Sequence, residues 1–429
     1  MSHVPYIIKK GTVMDAAILD VSVATPKYYV KHEELAKARG IDPDKYRYGL
    51  GCWEMAVCSP GEDAVTLAAQ AAFDLLQRHP NVADQIGLCV VGTESGVDQA
   101  KPIAIYLHQL LNLPKSCRAF EVKHACYGGT AGLQMARAWT QQHPKRYALV
   151  ITTDIARYER YSPGESTQGA GAVAMLIGSA AAEQTLLTLS KESGVHANEV
   201  YDFWRPTYQS TAQVKGKFSI SCYLDGLVEA FEDYKAREND HTEPDYFLFH
   251  VPFPRMARKA FRRLSDHKGL NYSDEMIENV FENKVEPGLW INRRIGNIYT
   301  GSLYLMLAGL CEREGEKLRD KRIALFSYGS GSCSEYFTGT FGHNLPKPHL
   351  HNILNWRKEV DVATYEQLHD EALAMERNQS LRIELEDLQH PFTFLGIRDH
   401  ERIYKRNDLA IQSTSAKDND SISPTIRAC

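Results

Sequence analysis

Apolar residues recur along the chain with two different spacings, which predict strands alternating with helices. The runs Ala16–Ala24 and Ile86–Thr93 are apolar almost throughout, which is typical of strands that are buried on both faces. Between them, Ala64–Arg78 has apolar residues three to four positions apart, the spacing of one helix face. Because strands and helices alternate in this way, the pattern predicts a layered α/β protein.

The same alternation continues to the end of the second half of the chain. Helices are predicted at His32–Arg39, Lys101–Leu111, Leu133–Thr140, Ser219–Arg237, Met256–Leu264 and Leu303–Leu310, and strands at Tyr147–Thr152, Gly169–Gly178, Tyr246–Phe249 and Arg322–Ser327. Tyr46–Met55 mixes aromatic, glycine and charged residues, which favours a loop or lid. Ser59–Glu62 resembles a capping box at the start of the helix Ala64–Arg78, although Gly61 weakens that interpretation.

Two stretches of the chain share one plan. In residues 1–184 and again in residues 185–406, strands end in polar residues and glycine-rich turns follow them, although the two stretches are not similar in sequence. We therefore predict two halves of similar topology. Residues 407–429 are rich in serine, aspartate and asparagine, which predicts a disordered tail.

Composition narrows the class of protein. The 429 residues are 43% hydrophobic and 24% charged, as in an ordinary globular enzyme, and the net charge of −5 argues against general nucleic-acid binding. The nine cysteines form no CxxC pair and no Cys/His ligand spacing, which argues against a disulfide framework and a bound metal. Neither a secretory signal nor a membrane-spanning run of about 20 apolar residues is visible, so a cytoplasmic location is expected.

Cys126 is the first candidate for chemistry. It ends the run Phe120–Cys126 and precedes small residues and a predicted helix, which places it near a helix N-terminus. A helix N-terminus favours a thiolate, and glycines at the turn allow a thioester to approach the backbone closely. A free cysteine is more often a small buried apolar residue. Its position at a strand-to-helix turn favours the alternative, an acyl-carrying nucleophile.

Two further residues follow predicted strands directly. Glu94 comes after Ile86–Thr93, and His250 comes after Tyr246–Phe249. Ligands of α/β proteins bind at the carboxyl ends of strands. Glu94 is therefore either a surface carboxylate or a buried proton acceptor with a raised pKa, and His250 is either structural or a general acid.

A basic cluster follows His250 within residues 255–263, and it includes Arg255 and Lys259. The usual interpretation of such a cluster is a solvated helix face. Beside a thioester site it could instead hold the phosphates of coenzyme A. The glycine-rich stretch Ser327–Ser332 could also bind phosphate, but it lacks the lysine of a nucleotide-binding loop.

Taken together, the motifs resemble those of the 3-hydroxy-3-methylglutaryl-CoA synthase family, in its bacterial form, within the thiolase-fold superfamily. The resemblance runs from about residue 13 to about residue 405. Its anchors, in the order of the family, are Gly92–Ser95, Phe120–Thr130, Thr167–Ala172, Tyr201–Pro206, Phe249–Phe253, Gly296–Ser302 and Phe326–Gly331. The resemblance implies two βαβαβαββ halves that form five layers, αβαβα.

The resemblance also implies a reaction. Acetyl-CoA would acylate Cys126, Glu94 would remove a methyl proton, and the carbanion would attack acetoacetyl-CoA, giving 3-hydroxy-3-methylglutaryl-CoA of the mevalonate pathway. His250 and Asn297 would position the second substrate. Residues that shape the site in the family correspond to Asp98, Asp154, Tyr158, Thr167, Asp202 and Ser330. No cofactor is expected, because the CoA thioesters are substrates.

Several alternatives remain open at this point. A sister branch of the family serves polyketide β-branching and takes acyl groups from acyl carrier proteins. Asp202–Pro206 and Asn297–Leu305 look more like the CoA-using branch. A ketoacyl synthase or thiolase would use other catalytic groups than Glu94, and a non-catalytic scaffold would form no acyl-enzyme. Arg255 departs from the lysine that is common in relatives, and the family's fold implies a homodimer.

Overall fold

Strands and helices alternate along the chain as the hydrophobic pattern predicts. The structure, a computed structural model, describes residues 16–179, 184–238, 242–375, 381–382 and 391–407. In the first part of the chain the elements are β1 (Ala16–Ala24), β2 (Tyr28–Lys31), α1 (His32–Ala38), β3 (Glu54–Val57), α2 (Ala64–Arg78), β4 (Ile86–Gly92), α3 (Ile103–Leu110), β5 (Arg118–Val122), α4 (Gly128–Gln142), β6 (Tyr147–Ile155) and β7 (Ala170–Ser179).

The second part carries fewer strands and more helices. Its elements are β8 (Leu187–Ala197), β9 (Phe203–Trp204), β10 (Gln213–Val214), α5 (Gly216–Arg237), β11 (Tyr246–Phe249), α6 (Arg255–His267), α7 (Asp274–Lys284), α8 (Glu286–Leu289), α9 (Asn292–Ile295), α10 (Ser302–Glu314), β12 (Arg322–Gly329), β13 (Cys333–Phe341), α11 (Leu350–Trp356), β14 (Lys358–Glu359), α12 (Val362–Met375), β15 (Leu381–Arg382), β16 (Phe392–Arg398) and β17 (Glu401–Arg406).

Nine of these strands form one mixed sheet in the order β11-β12-β13-β8-β1-β7-β6-β4-β5. The sheet consists of two smaller sheets, which β1 and β8 join through only two residue pairs, Ala17 with Thr188 and Ile18 with Leu187. In the first, β4 pairs in parallel with both β5 and β6. In the second, β11 pairs in parallel with β12. Each half therefore has parallel strands that end at a common edge.

Helices cover both sheets and separate them, which gives the predicted five layers. Helices α2 and α3 pack on the first sheet, α5 and α6 pack on the second, and α4 and α10 lie between the two. The hydroxyl groups of Thr130 on α4 and Tyr304 on α10 are 2.7 Å apart. Apolar residues of the middle helices, such as Leu133 and Leu307, join one core with both sheets. These contacts confirm the layered α/β arrangement predicted from the sequence.

The two halves differ at one sheet edge. The first half follows βαβαβαββ, but the second has no strand equivalent to β5 in residues 268–301, all of which are described. The helices α7, α8 and α9 occupy this segment instead. Ser273 caps α7 through Met276 N–H at 3.2 Å, and Pro287 stands in the first turn of α8. Both are residues that favour helix starts.

Several described elements after Arg357 contact the first half of the chain. Strand β14 pairs in parallel with β2, and the hairpin β16–β17 lies on α2. Asp63 receives hydrogen bonds from Arg402 (2.8 Å) and the hydroxyl of Tyr404 (2.7 Å). Within residues 408–429, which include all but one residue of the predicted tail, the structure describes nothing.

Two local predictions need correction. The capping box of α2 is formed by Asp63 and Thr66, while Glu62 accepts hydrogen bonds from the backbone of Ser59 and Lys27. The predicted loop Tyr46–Met55 overlaps a π-helix, Lys45–Leu50, and includes the first two residues of β3.

The described residues also limit other classes of site. None of their helices has both the length and the apolar surface that crossing a membrane requires. Likewise, no three of their His, Cys, Asp and Glu side chains come together as the ligands of a metal ion would.

Candidate active site

The carboxyl ends of the parallel strands bring three predicted residues together. Strand β4 leads to Glu94, the neighbouring β6 carries Asp154, and β5 leads into the turn that holds Cys126. Helix α4 starts two residues after Cys126. The close packing requires a glycine at position 92, because a Cβ atom there would lie 2.6 Å from the backbone nitrogen of Gly129.

Cys126 and Glu94 are in direct contact. The thiol of Cys126 donates a hydrogen bond to Glu94 Oε1 at 3.0 Å, and both side chains are half-buried. Ala125, just before the cysteine, has a left-handed φ of 39°. Backbone strain of this kind is common where the fold must aim a functional side chain.

Burial controls the protonation of this pair. Desolvation and the nearby Asp154 raise the pKa of Glu94 to about 8, and desolvation together with Glu94 raises the pKa of the Cys126 thiol well above its usual value. The helix N-terminus, expected to favour a thiolate, contributes only about 0.3–1 kcal/mol. Burial beside an acid outweighs it, so the resting site holds a thiol rather than a thiolate.

Asp154 ties the Glu94 turn to the second half of the chain. Its Oδ1 accepts hydrogen bonds from the backbone N–H of Glu94 (2.9 Å) and the hydroxyl of Ser95 (2.8 Å). Its Oδ2 accepts from the backbone N–H of Thr300 (3.1 Å) and from the Thr300 hydroxyl. The Thr300 hydroxyl oxygen also lies 2.9 Å from the carbonyl oxygen of Gly92. One fully buried carboxylate therefore fixes Glu94 relative to the turn before α10.

His250 lies at the end of β11 and is 2% exposed. Its backbone N–H donates to the carbonyl of Phe326 on β12 at 2.7 Å, and its own carbonyl accepts from Tyr223 at 2.7 Å. Desolvation lowers the pKa of the imidazole to about 3. His250 is therefore neutral at physiological pH and can act as a hydrogen-bonding group, not as a fixed cation.

Asn297 is fixed in the turn before α10. Its side-chain oxygen accepts from the backbone N–H of Tyr299 and the hydroxyl of Ser302, each at 2.9 Å. Its backbone N–H donates to the carbonyl of Thr167 at 3.1 Å. Because the oxygen is occupied twice, the side-chain NH2 group is the part of Asn297 that suits a ligand oxygen.

Aromatic rings line one side of Cys126. Tyr158, Tyr299 and the partly buried Phe203 form a cluster against which Cys126 packs. The ring of Phe203 is 6.3 Å from that of Tyr158 and 5.8 Å from that of Tyr299. The hydroxyl of Tyr158 interacts with Tyr299 and with Thr167. These rings limit the space that an acyl group on Cys126 can occupy.

Asp202 fixes the turn that carries Ser330. Its carboxylate accepts from the backbone N–H of Gly331 (2.9 Å) and the hydroxyl of Tyr328 (2.8 Å). The turn lies against the Cys126 turn, because a Cβ atom on Gly329 would be 2.5 Å from the Cβ atom of Tyr127. Asp202 is fully buried, so it acts on the site through the turn that it fixes.

Comparisons with known proteins agree on one family. Residues 12–182 match the hydroxymethylglutaryl-coenzyme A synthase N-terminal family, and residues 188–276 and 264–370 match its C-terminal counterpart. The chain is 38% identical to the hydroxymethylglutaryl-CoA synthase of Enterococcus faecalis over 379 residues, 87% of this chain and 96% of that protein. The chain belongs to the hydroxymethylglutaryl-CoA synthase family.

Solved structures and a second branch of this synthase family extend the comparison. MvaS in complex with 3-hydroxy-3-methylglutaryl coenzyme A superposes with a TM-score of 0.84 at 38% identity, covering 92% of this chain and 99% of that one. The polyketide biosynthesis 3-hydroxy-3-methylglutaryl-ACP synthase PksG of Bacillus subtilis is 36% identical over 342 residues, 76% of this chain and 80% of that protein.

Asp98 lies on the surface, unlike the predicted site residues Asp154 and Asp202. It is exposed, and its carboxylate accepts hydrogen bonds from the backbone N–H groups of Ala100 and Lys101, both at 2.8 Å. These bonds hold the pKa of Asp98 below its usual value. The structure does not bring Asp98 into contact with Cys126 or Glu94.

The basic cluster separates into paired and unpaired residues. Arg258 pairs with Glu278, Arg262 pairs with Asp266 and Asp274, and Arg263 pairs with Asp225. Arg255 and Lys259 are exposed, and neither has an acidic partner among the described residues. They are the two members that the sequence analysis assigned to CoA phosphates.

Sequence reasoning missed three residues of the site. Thr300 and Tyr299 lie inside the motif Gly296–Ser302, but nothing in the sequence shows that they reach Asp154 and Cys126. Arg205 lies inside the motif Tyr201–Pro206, and its guanidinium donates a hydrogen bond to the backbone carbonyl of Glu94. These contacts join residues that are far apart in the chain.

Proposed function

We propose that this protein condenses acetyl-CoA with acetoacetyl-CoA to 3-hydroxy-3-methylglutaryl-CoA, through an acetyl group carried on Cys126. The observation that supports the proposal most strongly is the 3.0 Å hydrogen bond between the Cys126 thiol and the Glu94 carboxyl group. It places a nucleophile and a proton acceptor side by side. The E. faecalis relative carries the name of this activity.

In the first step, the Cys126 sulfur attacks the thioester carbonyl of acetyl-CoA. The S–CoA bond breaks, the thiol proton passes to the departing CoA sulfur, and acetyl-Cys126 remains. We assign the stabilisation of the thioester oxygen to backbone N–H groups near Cys126 and Ser330. In enzymes, one such donor contributes about 2.7–4 kcal/mol.

In the second step, Glu94 removes a proton from the methyl group of acetyl-Cys126. A carboxyl group with a pKa of about 8 is a stronger base than a solvated glutamate, and it still ionises near neutral pH. The carbanion then forms a C–C bond with the ketone carbon of acetoacetyl-CoA. Tyr158, Tyr299 and Phe203 keep bulk water away from this intermediate.

The ketone oxygen becomes an alkoxide and needs hydrogen-bond donors. The neutral imidazole of His250 and the NH2 group of Asn297 provide them. The proton that Glu94 removed from the methyl group returns to the alkoxide and completes the tertiary alcohol. Water then cleaves the thioester to Cys126 and releases the product. Arg255 and Lys259 contact the phosphates of CoA, and no cofactor or metal takes part.

The proposal extends to the assembly and the cell. The free edge of β5 pairs with a second copy of the chain across a two-fold axis, giving a homodimer. The protein acts in the cytoplasm, in the mevalonate pathway to isoprenoids.

Mass spectrometry of the chain after mixing with acetyl-CoA tests the acyl-enzyme. The expected result is one acetyl group on the peptide that contains Cys126, and its absence after Cys126→Ala substitution. Adding acetoacetyl-CoA should discharge the adduct and form 3-hydroxy-3-methylglutaryl-CoA. A chain that gains no acetyl group on Cys126 would contradict the proposal and favour a non-catalytic scaffold.

The chain is 36% identical in sequence to PksG, which is named an ACP synthase. A reaction that takes its acyl groups from acyl carrier proteins is therefore the second candidate function. A comparison of acetyl-CoA with acetyl-carrier protein as donor, at equal concentrations, separates the two. We expect faster acetylation of Cys126 by acetyl-CoA. Faster acetylation by the carrier protein would assign the chain to the polyketide branch.

A further inference from the structure

The loop between β8 and α5 reaches across from the second half of the chain to Glu94. It carries the short strand β9, Phe203–Trp204, and its two flanking residues are each attached to a different half. On one side, Asp202 is fixed within the second half by Tyr328 and Gly331. On the other side, Arg205 donates a hydrogen bond to the backbone carbonyl of Glu94 in the first half.

Both the backbone N–H and the backbone carbonyl of Glu94 are therefore fixed by hydrogen bonds. Its backbone N–H donates to Asp154 at 2.9 Å, and its carbonyl accepts from Arg205. The first contact comes from the same half of the chain, whereas the second depends on the β8–α5 loop. Between the two contacts, the side chain of Glu94 meets the Cys126 sulfur.

The charge of Arg205 is not neutralised locally. Its side chain is exposed, and no carboxylate among the described residues forms an ion pair with it. Arg205 is the cation among the described groups that face Glu94. The others are Cys126, Asp154, Tyr158 and Tyr299. The negative charge of Asp154 raises the pKa of the Glu94 carboxyl group, and the positive charge of Arg205 lowers it.

We propose that Arg205 is a positioning residue for the proton-transfer step, because it holds the main chain of Glu94 from the second half of the chain. The inference rests on the proposed condensation. It assigns Arg205 no contact with substrate. It predicts that removing Arg205 slows proton removal from acetyl-Cys126 and leaves formation of acetyl-Cys126 nearly unchanged.

Three variants test the inference. Arg205→Gln removes the charge, Arg205→Lys keeps it, and Lys217→Gln removes an exposed charge from the start of α5, where it contacts no site residue. For each variant, mass spectrometry gives the rate of Cys126 acetylation. Single-turnover condensation of the preformed acetyl-enzyme with acetoacetyl-CoA is then measured from pH 6 to pH 9.5. Thermal unfolding checks that each variant folds.

For Arg205→Gln we expect acetylation within about threefold of the unmodified chain and condensation about 10- to 100-fold slower, the range expected for a misplaced catalytic group. The pH at which condensation is half-maximal should rise by about half a unit, because an exposed positive charge next to Glu94 is lost. Arg205→Lys should keep the pH midpoint and recover part of the rate. Lys217→Gln should match the unmodified chain.

Two outcomes would overturn the inference. If Arg205→Gln condenses within twofold of Lys217→Gln with the same pH midpoint, Arg205 does not position Glu94. If Arg205→Gln raises the KM for acetyl-CoA and slows acetylation as much as condensation, Arg205 binds the substrate instead. Failure of the unmodified chain to form acetyl-Cys126 is a separate result, because it contradicts the proposed function itself.

Discussion

Equivalent strand ends in the two halves carry groups of opposite chemistry. Strand β4 leads to Glu94, and β11, which has the same place beside its parallel neighbour, leads to His250. Burial raises the pKa of Glu94 to about 8 and lowers that of His250 to about 3. In both residues it favours the neutral form. The same physical cause thus gives one group that exchanges a proton near neutral pH and one that stays an uncharged hydrogen-bonding partner.

The turns that precede the two middle helices differ in a related way. The turn before α4 carries Cys126, and the turn before α10 carries Asn297 and Thr300. The first turn offers a nucleophile, while the second offers an amide donor and an anchor for Asp154. The two turns therefore present different chemical groups to the site. In the proposed reaction, the first half would hold the acyl group and the second half would bind the other substrate.

The largest effects should come from removing Glu94 or His250, and they should differ in kind. Glu94→Ala should slow condensation by about 10³-fold or more while Cys126 is still acetylated, because the general base is lost. His250→Ala should slow condensation by about 10²-fold and raise the KM for acetoacetyl-CoA. Acetylation measured by mass spectrometry and single-turnover condensation separate the two steps.

If Glu94→Ala and His250→Ala change acetylation and condensation in the same way, the two halves do not have different roles. Condensation by Glu94→Ala at the rate of the unmodified chain would remove Glu94 from the reaction. Loss of acetylation in His250→Ala would place His250 in the first step rather than the second. Lys217→Gln, a substitution of an exposed residue at the start of α5, is the control outside the site.

Asp154→Asn tests the bond between the halves and should have the next largest effect. An amide in place of Oδ2 would point N–H groups at the Thr300 donors, so the Glu94 turn and the Thr300 turn would separate. We expect condensation to fall about 10- to 100-fold. The pKa of Glu94 should fall at the same time, because a nearby negative charge is lost. A pH profile of condensation by the variant measures this shift, and a midpoint that stays unchanged or rises would contradict it.

The pH dependence of the unmodified chain follows from the same comparison. Because the acting form of Glu94 is the carboxylate and its pKa is about 8, condensation from acetyl-Cys126 should rise about tenfold between pH 7 and pH 9. His250, with a pKa of about 3, should add no step between pH 5 and pH 9. A flat profile above pH 7, or a midpoint near pH 6.5, would show that a different group limits the rate.

The parts of this molecule that the sequence reveals are local. The periodicity of α2 and the apolar runs of β4 and β11 predict elements at nearly the observed positions, because each depends on residues close in the chain. Their order predicts the layers. The position of Glu94 and His250 after a strand follows from the same patterns.

The contacts between distant residues could not be predicted in that way. Asp154 meets Thr300 across 146 positions, and Arg205 meets Glu94 across 111. The expected thiolate at Cys126 is a related case, because a helix N-terminus is visible in sequence whereas the burial that opposes it is not. The capping pair Asp63 and Thr66 was missed because Ser59 and Glu62, four positions earlier, have the same spacing. Periodicity cannot detect the return of β14 to the first half.

The smallest effect is expected at the surface of the second half, where Lys259 is exposed and has no acidic partner among the described residues. Lys259→Gln should raise the KM for both CoA substrates a few-fold and leave kcat unchanged, because a solvated contact with phosphate contributes about 1 kcal/mol or less. The effect should weaken at high salt. Arg262→Gln is the matched control, since Arg262 lies on the same helix but is already paired with Asp266 and Asp274. Equal changes in the two variants would mean that the helix contributes general charge rather than a phosphate contact at Lys259.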